Sequence, residues 1–213
     1  MNTVIDIRNI TVRYDTNEVL KDVSLVCEPG KIYGLVGRNG SGKTVLLKSI
    51  CGLVVPTSGE VCVWGKILGK NIDFPDDIGF IIESPGFLLH ESGLNNLKHL
   101  ASICGKIGID EIRKSMYTVG LDPDLKRQVG KYSMGMRQRL GIAQAIMEAP
   151  KLLILDEPMN GLDNHGVEHI RSILLSLKKN GVTIVLASHF KEDIDYLCDE
   201  VYQMDSGHIV RIV

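Results

Sequence analysis

The sequence predicts an α/β protein whose mainly parallel sheet is interrupted by an all-helical insertion. Three observations carry that reading. Apolar runs of strand length alternate with segments of helical spacing over 31–51 and 152–187, as in parallel sheets with crossover helices. The chain opens on short alternations of apolar and polar residues, the period of strands with one solvated face. Between 84 and about 150 the spacing changes to i, i+3, i+4, the stripe of amphipathic helices.

Taken in order, 5–7, 10–14 and 23–27 read as strands, and 31–36 as a buried strand ending in a glycine-rich loop. Helical spacing covers 44–51, strands follow at 61–64 and 78–82, and helices at 94–100, 109–119 and 136–147. Strand character returns at 152–155 and 182–187 with a helix over 167–179 between them, and 201–213 reads as two strands around Ser206-Gly207. The last strands lie close to the end of the sequence, so no added regulatory domain is expected.

Length and composition exclude several classes. The 213 residues suit one domain, or one with a lobe, and 44% hydrophobic residues suffice for a core. A net charge of −2 gives no general attraction for nucleic acid or anionic lipid. Lys126-Arg127 and Lys178-Lys179 are isolated basic pairs on solvated faces. Cys27, Cys51, Cys62, Cys104 and Cys198 are scattered without a CxxC pair, so they read as small hydrophobes in a reducing cytosol rather than zinc ligands. Residues 1–10 lack the cationic start and apolar run of a signal peptide, and no apolar stretch approaches the ~20 residues of a membrane span. The expectation is a soluble chain that reaches a membrane only through a partner, without direct insertion.

The chemistry concentrates in four motifs. Gly37-Arg38-Asn39-Gly40-Ser41-Gly42-Lys43-Thr44 matches GxxxxGK[ST] between a strand and a helix, where its backbone N–H groups can surround phosphate oxygens. Lys43 would contact the β- and γ-phosphates, and Thr44 would ligate Mg²⁺. The apolar run 152–155 ends in Asp156 and Glu157. Asp156 would hold Mg²⁺ through water, and Glu157 would act as general base. Ser188-His189 ends the next strand, where a side chain faces the ligand crevice, so His189 could sense the γ-phosphate and hold the water. Ser133-Met134-Gly135 opens a helix, with Ser133 as N-cap and open N–H groups suited to an anion.

These pieces, in this order and over nearly the whole chain, resemble the nucleotide-binding domain of ABC transporters. The resemblance implies a P-loop NTPase (RecA-like) core with an N-terminal antiparallel β subdomain and an inserted α-helical subdomain. Residues 1–83 and 151–213 would form the nucleotide-binding core, and 84–150 the helical part. In that frame residues 133–137 (Ser-Met-Gly-Met-Arg) stand where the family commonly reads LSGGQ. Residues 160–163 (Asn-Gly-Leu-Asp) form the D-loop, ending on Asp163. His189 is the switch histidine. Tyr14 falls where an aromatic stacks on adenine; packing in the strand core is its other reading.

ATP and Mg²⁺ are the implied cofactors, and hydrolysis of ATP the implied activity. Two copies would pair head to tail on ATP, with Ser133 and Gly135 acting across the dimer on the other copy's nucleotide. Membrane-spanning permease subunits would be the partners, placing the chain in the cytoplasm on the inner face of the membrane. A soluble ATPase acting on ribosomes or DNA is the rival class. Translation-factor types carry two such domains, and chromosome types split the motifs around a coiled coil that this sequence lacks. A non-hydrolysing binder is disfavoured by the presence of both Glu157 and His189.

Glu83 departs from the family, which places a glutamine here. A glutamine both donates and accepts, whereas an ionised glutamate only accepts. Its added charge near the γ-phosphate must be offset, by Mg²⁺ or by protonation. It is therefore expected to ligate Mg²⁺ with Thr44 and Asp156 while switching differently. With the Ser-Pro-Gly-Phe loop that follows it and the Ser133–Arg137 variant, this glutamate resembles the bacterial subgroup that exports lantibiotics and bacitracin-like peptides for self-protection. Phe87, Leu88 and Leu89 either line the groove for a permease helix or pack inside the helical part.

Overall fold

The computed structural model describes residues 3–213; residues 1 and 2, at the head of the alternation read over 1–10, lie outside the described residues. Strands β1 (Ile5–Tyr14), β2 (Asn17–Cys27), β4 (Ser58–Val63) and β5 (Lys66–Ile67) form an antiparallel sheet in the order β2-β1-β4-β5. A second sheet runs β10-β9-β3-β8-β7-β6, from β3 (Ile32–Val36), β6 (Ile78–Ile81), β7 (Leu152–Asp156), β8 (Thr183–Ala187), β9 (Glu200–Asp205) and β10 (His208–Arg211). Its pairs are parallel except β9 with β10.

Alternation along the central strands divides the core in two. Leu153 and Leu155 of β7 join Ile184 and Leu186 of β8 on one face. Leu152, Ile154, Val185 and Ala187 point to the other. On that second face lies α1 (Lys43–Ile50), whose Leu46, Leu47 and Ile50 are buried beneath the antiparallel sheet. On the first face lie α5 (Asn164–Lys179) and α6 (Lys191–Leu197) through Ile170, Leu174, Ile194 and Leu197. The helices α2 (Gly93–Cys104), α3 (Ile109–Thr118) and α4 (Met134–Ile146) bury Leu97, Ile112, Met116 and Leu140 in the same cluster. Helix α4 closes on the β6 edge, where a methyl at Gly79 would lie 1.9 Å from the Ala145 carbonyl.

Four local features differ from the sequence reading, each for a physical reason. The two strands read at 5–7 and 10–14 are one, broken in register at Arg8-Asn9, where Asn9 turns to φ 48; a bulge of this kind masks the period of two. β2 begins at Asn17 rather than 23, because Tyr14 pairs with Asn17 across the two-residue turn Asp15-Thr16. β5 has two residues and α6 seven, both too short for periodicity to register.

Candidate functional site

The glycine-rich loop follows β3 and opens α1 at Gly42, whose φ of 107 is a glycine conformation. A methyl group at Gly42 would also meet Leu20 Cδ2 at 2.8 Å, and one at Gly37 the Met204 carbonyl oxygen at 2.3 Å. The loop is therefore walled by β2 and β9 and has no room for side chains at these points. Lys43 is 7% exposed. Its Nζ donates to the carbonyls of Gly37 at 2.6 Å and Arg38 at 3.1 Å, fixing the ammonium inside the curl. Ser41 Oγ is the only buried side-chain polar atom without a hydrogen-bond partner among the described residues. A buried donor left over in a cationic cradle suits phosphate oxygens.

Beside the loop, Thr44 Oγ1 donates to Asp156 Oδ2 at 2.7 Å, joining the first turn of α1 to the end of β7. A hydroxyl and a carboxylate oxygen at one point form the hard-oxygen donor set that suits Mg²⁺ together with phosphate oxygens. Among the described residues, no group of three or more His, Cys, Asp or Glu makes a protein-only metal cage. Glu157 follows in the left-handed region at φ 51. Its N–H donates to the Ala187 carbonyl at 2.9 Å, which ties it to β8. Its Oε2 lies 2.8 Å from His189 Nδ1 and 3.4 Å from the His189 N–H. A carboxylate only accepts, so Nδ1 carries the proton in this pair.

The turn that presents His189 is held from below. Phe190 N–H donates to Ser188 Oγ at 3.1 Å. Buried Asp193 accepts from Ser188 Oγ at 3.5 Å and from Arg171 of α5 at 2.9 Å and 2.5 Å. Gly37, Arg38, Ser188 and His189 share the wall of one cleft of about 920 Å³.

Among the described residues, the remaining candidates share no side-chain hydrogen bond with this cluster. Ser133 caps α4 by accepting from Met136 N–H at 3.1 Å. Gly135 packs on the D-loop of its own chain, where a methyl would meet the Gly161 carbonyl oxygen at 2.8 Å. Asp163 caps α5 by accepting from Gly166 N–H at 2.8 Å. Tyr14 is 50% exposed at the end of β1, so the strand-core alternative for it does not hold. Phe87 packs against the core whereas Leu88 and Leu89 are exposed. Phe87 and Leu88 line a groove of about 370 Å³ with Pro85, His99 and Leu100.

Glu83 sits at φ 61 just after β6. Its carboxylate takes Lys48 Nζ at 2.7 Å rather than the Thr44–Asp156 pair. The charge expected to need Mg²⁺ or protonation is thus met by a lysine. Lys48 stands four residues after Thr44 on α1, the i,i+4 position that shares its face. That spacing was the signal that could have found it. Gln138 of α4 was also missed, and its Nε2 reaches the carbonyls of Glu157 and Pro158.

A family model described as "ABC transporter" matches residues 20–160, from β2 through both carboxylates to the D-loop. The chain belongs to the ABC transporter family. As an ABC transporter ATP-binding subunit it is an ATPase that powers transport, and the ribosomal or DNA-linked rival is not favoured. It is 44% identical over 206 residues to the Uncharacterized ABC transporter ATP-binding protein YybJ of Bacillus subtilis (strain 168), covering 97% of this chain and 94% of the relative. It is 42% identical over 215 residues to the Bacitracin transport ATP-binding protein BcrA of Enterococcus faecalis, covering 100% of this chain and 70% of that protein. Among solved structures, the dimeric bacterial ABC transporter cassette MJ0796 superposes with a TM-score of 0.87 at 24% identity, over 97% of both chains. At that identity the likeness establishes the fold. No helix among the described residues is long and apolar enough to cross a membrane.

Proposed function

We propose that this ABC ATPase hydrolyses ATP between two head-to-tail copies to drive permease subunits that export antimicrobial peptides, and that its catalytic centre is Glu157 with His189. The pairing of the Glu157 carboxylate with His189, beside Thr44–Asp156 at the mouth of the phosphate loop, carries the reading. Lys43 and the N–H groups of 37–44 bind the phosphates and offset charge that builds on them. Thr44 and Asp156 would hold Mg²⁺, which would supply Lewis acidity to the phosphates. Glu157 orients the water and takes its proton as the new O–P bond forms and the β–γ bridge breaks. His189 fixes the Glu157 carboxylate and faces the γ-phosphate. Tyr14, exposed at the end of β1, stacks on adenine.

Ser133 and Gly135 serve the second copy's nucleotide. Ser133 is exposed at the start of α4, and that exposure supports a site completed in trans. Asp163, capping α5 next to them, sets the D-loop that passes between the sites. Residues 1–83 and 151–213 act as the nucleotide-binding core and 84–150 as the part that receives the permease, through the groove at Phe87 and Leu88. The chain then works in the cytoplasm, peripheral to the membrane. Peptide export is supported by likeness to the bacitracin transport protein and by the glutamate at position 83, paired with Lys48.

Glu157→Gln is expected to keep ATP binding and to lower turnover by ~10²–10⁴-fold, the usual worth of a positioned base. Steady-state ATPase rates and nucleotide titrations check it, and turnover equal to wild type would remove the role of Glu157. Co-purification of a permease from solubilised membranes, and bacitracin tolerance of a host expressing both, check the transport reading.

A further inference from the structure

We propose that Gln138 is a positioning residue for the Glu157 carboxylate, acting on it through the main chain. Gln138 Nε2 lies 3.3 Å from the Glu157 carbonyl oxygen and 3.0 Å from that of Pro158. Both partners only accept, so the amide must present its NH₂ to them. The two bonds bridge elements far apart in sequence, from α4 to the turn after β7.

Glu157 needs such a hold. It is a non-glycine residue at φ 51, and it precedes proline, whose ring restricts the backbone before it. Residues in sparsely populated regions persist only where their surroundings fix them. Three groups outside its own turn fix Glu157: the Ala187 carbonyl on its N–H, His189 on its carboxylate, and Gln138 on its carbonyl, which also accepts the Asn160 N–H within the turn at 3.2 Å. The first two come from β8 and the turn after it. Gln138 supplies the third from the helix that begins at Ser133. A shift of α4 therefore moves the backbone from which the Glu157 side chain departs, and a misplacement of about 1 Å at a reacting group can cost ~10²-fold.

The inference rests on Glu157 being the base, and the test separates the two. With the purified full chain at saturating Mg²⁺-ATP, Gln138→Leu is expected to lower kcat about tenfold, the worth of one or two neutral hydrogen bonds. KM for ATP stays near wild type, because the amide touches no part of the phosphate loop. Gln138→Lys, which keeps a donor, recovers turnover. In the Glu157→Gln background Gln138→Leu brings no further loss, as measured by single-turnover hydrolysis of labelled ATP. Wild-type kcat in Gln138→Leu, a loss carried by KM, or a full further loss in the double variant overturns the proposal. Should Gln138→Leu not fold by thermal unfolding, Gln138→Glu keeps the shape and removes the donor. It must then lose at least as much turnover, and wild-type rates would overturn the idea. If Glu157→Gln itself turns over normally, the base assignment fails. If it is inactive while Gln138→Leu is not, only the positioning role fails.

Discussion

The protein has two helix starts suited to an anion, and they are built differently. At the start of α1 the cap is Gly42, which has no side chain to spend on its own helix. The loop before it is walled in by Leu20 and Met204, and Lys43 is locked inside. At the start of α4 the cap is Ser133, whose hydroxyl already accepts from Met136 N–H. Its neighbour Met134 is 59% exposed. In the proposed function the first is a complete cradle for phosphate within one chain. The second is then half a site: it offers N–H groups and the helix dipole on an open surface. Under that proposal, a surface that binds only weakly alone but adds to a nucleotide held by the other copy would make closure depend on ATP.

Removing charge from the complete cradle should have the larger effect on binding. Lys43→Met takes away an ammonium fixed by two carbonyls, and loss of its charge-assisted bonds predicts ATP affinity weaker by about 10²-fold. Equilibrium nucleotide titration reads it directly. Ser133→Ala should leave the affinity of the isolated chain unchanged and lower turnover, with a loss of about 1 kcal/mol of stability for the missing cap. If instead it weakens binding as strongly as Lys43→Met, the two helix starts act on one nucleotide within one chain and the comparison fails.

The first region was far more legible in the sequence than the second. A phosphate loop needs glycines at fixed spacing because backbone must approach backbone, and Gly37 against the Met204 carbonyl is that need made physical. The strand before Asp156-Glu157 was legible for a similar reason: it is buried on both faces and reads as an unbroken apolar run. What the sequence could not display were contacts between distant elements. Gln138 is an ordinary polar helix residue until α4 is laid against the turn after β7. Lys48 shares the α1 face of Thr44 in the sequence, but its partner is fixed only when β6 delivers Glu83 to it. The departure at Glu83 was visible, but its counter-charge was not, so metal or protonation seemed required where an ion pair suffices.

That ion pair gives a smaller expected effect. The Glu83 side chain is 63% exposed, and exposed pairs contribute about 0–1 kcal/mol. Glu83→Gln and Lys48→Met should each shift thermal stability by less than about 1 kcal/mol, and the shift should shrink as salt screens it. In ATPase assays over a Mg²⁺ titration, Glu83→Gln should leave the Mg²⁺ dependence unchanged and alter the response to the permease. If it matches wild type in every condition, Glu83 belongs to the α1 surface and takes no part in the site.

The smallest effect lies where α4 meets α5, behind the half-site. Arg139 lies 3.2 Å from His169 Nδ1 and donates to the Val119 carbonyl at 2.5 Å, joining the end of α3, α4 and α5. Burial holds the His169 imidazole below its ordinary range, and the charges of Arg139 and His165 add to the effect. A histidine with a lowered folded-state value binds fewer protons folded than unfolded, so its contribution is present above the unfolded value near 6.5 and is lost as pH falls through it. His169→Gln should therefore flatten the decline of thermal stability below about pH 6.5 while leaving ATP affinity at the α1 cradle untouched. Identical stability profiles for the variant and wild type across that window would mean that His169 does not report on the α4–α5 contact. A change in ATP affinity would mean that the two helix starts communicate inside a single chain.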